Sequence, residues 1–147
     1  MENAGRYRQI DHTGDIGIDA EAPDEASLFA VCARALFDIL AGEDAPIEGR
    51  ESLRIRVEAP DRQRLLVGWL RELLYLHETE GWLFRGFSPR IQSAADGSIT
   101  LLGTASGERI DPARHRIERE VKAVTYHQIA AERGPEGRWT ARVIFDI

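Results

Sequence analysis

The tetrapeptide EAPD occurs twice, at positions 21–24 and 58–61, each time after an apolar-alternating stretch and before a helical one. The segments IDAEAPDEASLFAVCARALFDIL and IRVEAPDRQRLLVGWLRELLYLH align without gaps. Nothing constrains the fold of this chain more. Proline has no amide to give a strand ladder, so it ends a strand. The aspartate that follows can accept hydrogen bonds from the open amides of a helix's first turn, where its charge also suits the helix dipole. The pattern predicts two strand–turn–helix units, entered at Asp24 and Asp61. Two copies are too few for a solenoid, so the units are expected to pack together.

The first helix is expected from about Glu25 to Leu40, with Leu28, Cys32, Ala35, Leu36 and Ile39 on one face. The second is expected from about Arg62 to Glu78, with Leu66, Trp69, Leu70, Leu73, Leu74 and His77 on its stripe. Gly81 ends it. His77 is expected to be hydrogen-bonded or to cap the helix, and Cys32 to be an inert core thiol. Beyond them, WLFRGFSPRIQSA and SITLLGTASGE flank Asp96-Gly97, a hairpin signal. DPARH is a connector. REVKAVTYHQIAAE and GRWTARVIFDI then alternate around an Arg133–Gly137 turn. Lys122, Val124, Tyr126 and Gln128 are expected on one face of their strand, Val121, Ala123, Thr125, His127 and Ile129 on the other. In the last strand Trp139, Ala141, Val143, Phe145 and Ile147 oppose Thr140, Arg142, Ile144 and Asp146. The expected fold is α+β: one domain over residues 1–147, a mainly antiparallel sheet or sandwich carrying two main helices.

A hydrophobic share of 43% with 30% charged residues is that of a globular chain rather than a disordered one. No apolar run reaches the length of a membrane span, and MENAGRYRQ lacks the layout of a signal peptide, so a cytoplasmic address is expected. One cysteine permits no internal disulfide. The net charge of −6 argues against broad binding to a phosphate backbone, while 19 basic residues leave room for a local basic patch. Of those 19, only Lys122 is lysine. An ammonium is a compact, movable charge and a guanidinium a planar fork. Lys122 is therefore either a place that needs an ammonium or the remnant of an arginine-favouring genome.

No Walker loop, G-x-G-x-x-G or G-x-S-x-G is present, and His12, His77, His115 and His127 form no zinc pattern. What remains is carboxylate. DHTGD sets Asp11, His12 and Asp15 around Thr13-Gly14, and Asp146 adjoins Ile147 at the other end of the sequence. First and last strands often pair in small sheets. If they do here, Asp15 meets Asp146 and the carboxylate of Ile147, and three such charges need protons or a cation between them. Hard oxygen donors favour Ca²⁺ or Mg²⁺. An acidic surface turn without chemistry explains the same letters, and a catalytic aspartate pair is the weaker alternative.

The residues also resemble a known family, archease. Its opening motif D/E-H-T-A-D-x-G is matched by Asp11-His12-Thr13-Gly14-Asp15-Ile16-Gly17, its A-L-F-x-x-L by Ala35–Leu40, its K-A-x-T-Y-H by Lys122–His127 and its terminal Asp-Ile by Asp146-Ile147. The resemblance implies a small single domain related to the strand–helix–strand–strand module. It implies a non-catalytic cofactor of a GTP-dependent RNA ligase, one that splices tRNA or repairs RNA. Such a cofactor promotes the guanylyl-histidine intermediate and multiple turnover, and meets RNA through the ligase. It implies Asp15, Asp146 and the Ile147 carboxylate as metal ligands, usually for Ca²⁺, and Lys122 as the activating lysine. His12 matches a further family position, with partner activation and loop orientation both open. Gly14 replaces the family's usual alanine. The rival readings are a chaperone or binding module for an RNA-modifying enzyme, and a stand-alone metal-dependent hydrolase.

Overall fold

A computed structural model describes residues 5–147, Thr13 and the side chain of His12 excepted. In chain order the elements are β1 (Arg6–His12), β2 (Asp15–Ala22), α1 (Glu25–Ala41), β3 (Glu51–Ala59), α2 (Arg62–Glu80), β4 (Trp82–Ser93), β5 (Ile99–Arg109), β6 (Ala123–Val124), β7 (Ala130–Arg133) and β8 (Trp139–Asp146).

Both EAPD repeats end a strand and open a helix. Asp24 and Asp61 are extended, and their side chains accept hydrogen bonds from the amides of Ser27 and Arg64, both at 2.8 Å. Arg62 of the second unit forms an ion pair with Glu25 of the first, so the two helix starts are tied together. Trp69 Nε1–H of α2 donates to the Phe29 carbonyl of α1 at 3.0 Å.

Every strand pairing is antiparallel. One sheet has the order β1-β2-β8, with β6 and β7 along the far side of β8; the other has the order β3-β5-β4. The run β3–α2–β4–β5 is itself a strand–helix–strand–strand module. The helices form a layer between the sheets: α1 packs on β1, β2 and β8 and on β4, while α2 packs on β6 and β7 and on β3, β4 and β5. This placement explains why α1 is buried on more than the expected stripe. Phe29, Val31, Ala33 and Phe37 are as inaccessible as Leu28, Cys32, Ala35 and Leu36, because a helix with a sheet on each side keeps little polar face. One apolar core runs through both sheets and both helices.

The bulge between Phe84 and Gly86 in β4 turns Arg85 inward. Its guanidinium meets the buried carboxylate of Asp38 at 2.7 Å, and the Tyr7 hydroxyl donates to the same carboxylate at 2.7 Å. The Asp96-Gly97 hairpin forms as expected, with Asp96 Oδ1 accepting from Ser98 N–H and Oγ–H.

The expected strand through EVKAVTYHQI does not form as one piece. Only Ala123–Val124 pairs with β8; a turn follows, in which Gln128 has φ of 54°, before β7 begins. Val121 and Val124, three residues apart, are both buried, which strict alternation forbids. Thr125 breaks the ladder. Its hydroxyl donates to the Ile144 carbonyl at 2.9 Å and accepts from the His127 amide at 3.2 Å, offering the backbone a turn instead of a strand. In β8 the alternation holds, except that Ile144 is buried on the outer face, over Gly17.

Candidate functional site at the end of the first sheet

The backbones of His12 and Asp15 are ladder partners, so β1 and β2 form a hairpin that closes within DHTGD. Gly14 supplies φ of +78°, a left-handed conformation that suits a residue without Cβ. The strand that carries Asp15 pairs with the last one, and β1 lies on its other side as an additional strand. In the β2–β8 ladder Asp15 lies directly opposite Asp146. Directly opposed residues point to the same face, with Cβ atoms about 5 Å apart. Asp15 is half-exposed and its Oδ1 is buried; Asp146 is exposed. Ile147 comes next, and its half-buried side chain packs on the core, as alternation requires.

A third segment reaches the same place. The Lys122 amide donates to the Asp146 carbonyl at 2.8 Å, and Ala123 is the ladder partner of Asp146. This fixes the Lys122 backbone at the edge of the acidic pair, with its side chain exposed. Arg71 of α2 holds the segment from behind: its Nε–H donates to the Val124 carbonyl at 3.1 Å, and its guanidinium lies 4.7 Å from the centre of the Tyr126 ring. The position of Arg71 on the polar side of its helix gave no sign of that role.

Two carboxylates on one face repel unless a proton or cation lies between them. Among the described residues, no three His, Cys, Asp or Glu side chains come together as a metal cage. The donor set at this spot is therefore two aspartates, with Ile147 one residue further. Hard oxygen donors of this sort, few in number, fit a divalent cation that keeps several waters.

The remaining candidates separate by position. Asp11 is the ladder partner of Ile16 and so points to the face opposite Asp15. The His12 side chain lies outside the described residues. Asp19 shares the face of Asp15 but is occupied: Arg142 grips it with two hydrogen bonds of 2.7 and 2.8 Å, and Arg8 adds a third. The Arg142 hydrogen bonds hold the Asp19 carboxyl below its usual range. His77 Nδ1–H donates to the Trp82 carbonyl at 2.9 Å, as a structural histidine does. Burial holds the Cys32 thiol up at about 12, an inert state.

His115, unremarkable in the sequence, is buried in the connector before the Lys122 segment. Its Nδ1 accepts the Asp111 amide at 2.9 Å, which leaves Nε2–H to donate to Glu108 Oε2 and the Pro46 carbonyl, both at 3.2 Å. Burial alone would raise the Glu108 carboxyl; the Glu48 amide and the Arg114 guanidinium outweigh it and hold the group at about 2.

The profile of the archease protein family (MTH1598/TM1083) matches residues 7–147. Among curated relatives, protein archease of Pyrococcus furiosus is 41% identical over 142 residues, covering 97% of this chain and 99% of that protein. Protein archease of Methanopyrus kandleri is 38% identical over 141 residues, covering 96% and 99% respectively. The solution structure of Methanobacterium thermoautotrophicum protein 1598 superposes with a TM-score of 0.79 at 36% identity, covering 99% of this chain and all of that one.

Proposed function

The chain belongs to the archease family, and from that premise we propose that it is an accessory protein of a GTP-dependent RNA ligase. In this role it promotes guanylylation of the ligase's histidine and sustains repeated turnover without joining RNA itself. The observation that carries the reading is the meeting of three segments at one sheet end: Asp15 opposite Asp146, with the Lys122 amide on the Asp146 carbonyl. The reading places the protein in the cytoplasm with its ligase; no helix among the described residues is long and apolar enough to cross a membrane.

Guanylylation forms a bond from a histidine nitrogen to the α-phosphorus of GTP and breaks the bond to the β-phosphate, which leaves with its electron pair as pyrophosphate. Negative charge grows on the leaving oxygens, and a positive group fixed near them lowers the barrier. Asp15, Asp146 and the Ile147 carboxylate would hold a divalent cation, Ca²⁺ for choice, which when bound supplies such charge to phosphate oxygens. Lys122 brings a second positive charge on a movable stem. Its backbone is fixed by the 2.8 Å hydrogen bond while its ammonium stays free to enter a partner's site. An arginine fork fills that role poorly if the approach is narrow.

The test is ligase guanylylation with Asp15→Ala, Asp146→Ala and Lys122→Ala. Each is expected to lose tenfold or more of the stimulation, about 1.4 kcal/mol of barrier. Full stimulation by all three would remove the site from the mechanism. Lys122→Arg separates the two explanations of the lone lysine, since a merely cationic role tolerates it. Calcium titration of the two aspartate variants, and of a C-terminally extended chain, is expected to show weakened binding in each.

A further inference from the structure

The outer face of the β3-β5-β4 sheet looks away from the helices, because its inner residues Ile55, Leu101 and Ala105 belong to the core. Its ladder brings Arg54 opposite Thr104 and Ser88, and places Leu102 between Arg56 on one side and Arg90 on the other. All six are exposed and line one shallow groove of about 520 Å³. Arg54 and Arg90 make no ion pair among the described residues, and Arg56 reaches Glu58 only at 3.9 Å.

The outer face of the first sheet is different. Arg6 and Arg138 are paired with Glu21, and Arg8 and Arg142 with Asp19. In a chain of net charge −6, three clustered guanidiniums with little to neutralise them form a local cationic field. Arg54 and Arg56, two residues apart on one strand, are separated by about 7 Å along it, on the scale of successive phosphates. The hydroxyls of Ser88 and Thr104 add donors beside them.

We propose that this face binds the phosphate backbone of single-stranded RNA directly. Arg54, Arg56 and Arg90 contact phosphates, and Leu102 packs beneath a ribose or base. The choice of RNA among polyanions rests on the ligase reading above; the charge cluster does not. No aromatic ring lies on these ladder rows to stack bases, so binding has little sequence preference.

Fluorescence anisotropy of the full chain with a labelled single-stranded RNA of about 16 nucleotides tests this. Three phosphate contacts predict a slope of log K against log salt of about −2. Changing Arg54, Arg56 and Arg90 together to Gln is expected to weaken binding at least tenfold and flatten that slope. The triple Lys variant, which keeps the charge, is expected to retain it, and Arg6→Gln with Arg8→Gln on the other sheet to leave it unchanged. No binding by the wild type up to roughly 100 µM in about 50 mM salt, equal affinity of the wild type and a folded Gln variant, or equal competition by polyglutamate would each overturn the proposal. Ligase and GTP are absent from the measurement, so failure of the ligase role leaves its outcome untouched.

Discussion

At position 14 the backbone runs at φ of +78°, while the space a Cβ would enter is open. Strain, not crowding, is what alanine would meet there. Gly14→Ala is expected to cost about 1 kcal/mol, read as a lower urea midpoint at unchanged m-value; an unchanged midpoint would mean the turn forms equally well with other dihedrals. The same scale explains why two aspartates of one strand and one face differ in kind. Asp15 faces another carboxylate across the ladder, whereas Asp19 faces Arg142. No neighbour in the sequence tells them apart, because each owes its surroundings to a residue more than a hundred positions away. The His115–Glu108 contact is hidden for the same reason: it is completed by Pro46 and Glu48 from a distant loop.

Among the elements, the two helix starts were the most legible part of the chain. Their cap geometry is nearly identical, with Asp24 at φ −146° and Asp61 at φ −150°, because strand end, proline and cap are all local chemistry. Asp24→Ala and Asp61→Ala are each expected to cost about 1 kcal/mol, and their effects to differ by less than either one, as thermal unfolding of both variants would register. The segment from Val121 to Ile129 was the least legible. Its letters alternate well enough for a strand, yet β8 accepts only two residues of it before Thr125 turns to the Ile144 carbonyl. The short pairing matters to the site, since Lys122 immediately precedes it and is held beside Asp146 by its own amide.

For the whole molecule, acid should be felt through the carboxylates held by charge and hydrogen bonds. Glu108 is held at about 2, below its ordinary 4.5, so its contribution to stability is complete above about 4.5 and is lost as pH falls toward 2. Glu108→Gln is expected to be less stable near neutral pH, with a flatter decline of unfolding midpoint between pH 4.5 and 2; parallel declines for both proteins would contradict this. By itself the sequence determined the elements governed by neighbours: two capped helices, the Asp96-Gly97 hairpin, the turn at DHTGD and the alternation of β8. The four motif matches likewise carry the family resemblance in the sequence alone. Only the tertiary structure decided that the helices lie between two sheets, that α1 is buried nearly all round, and that the strand pairing with β8 is the second. It also decided that Asp15, Asp146 and Lys122 share one sheet end and that Arg54, Arg56 and Arg90 share another face. Local chemistry chooses a turn or a cap within a few residues, but which charges become neighbours depends on strand register, and register is set by burial across the whole core.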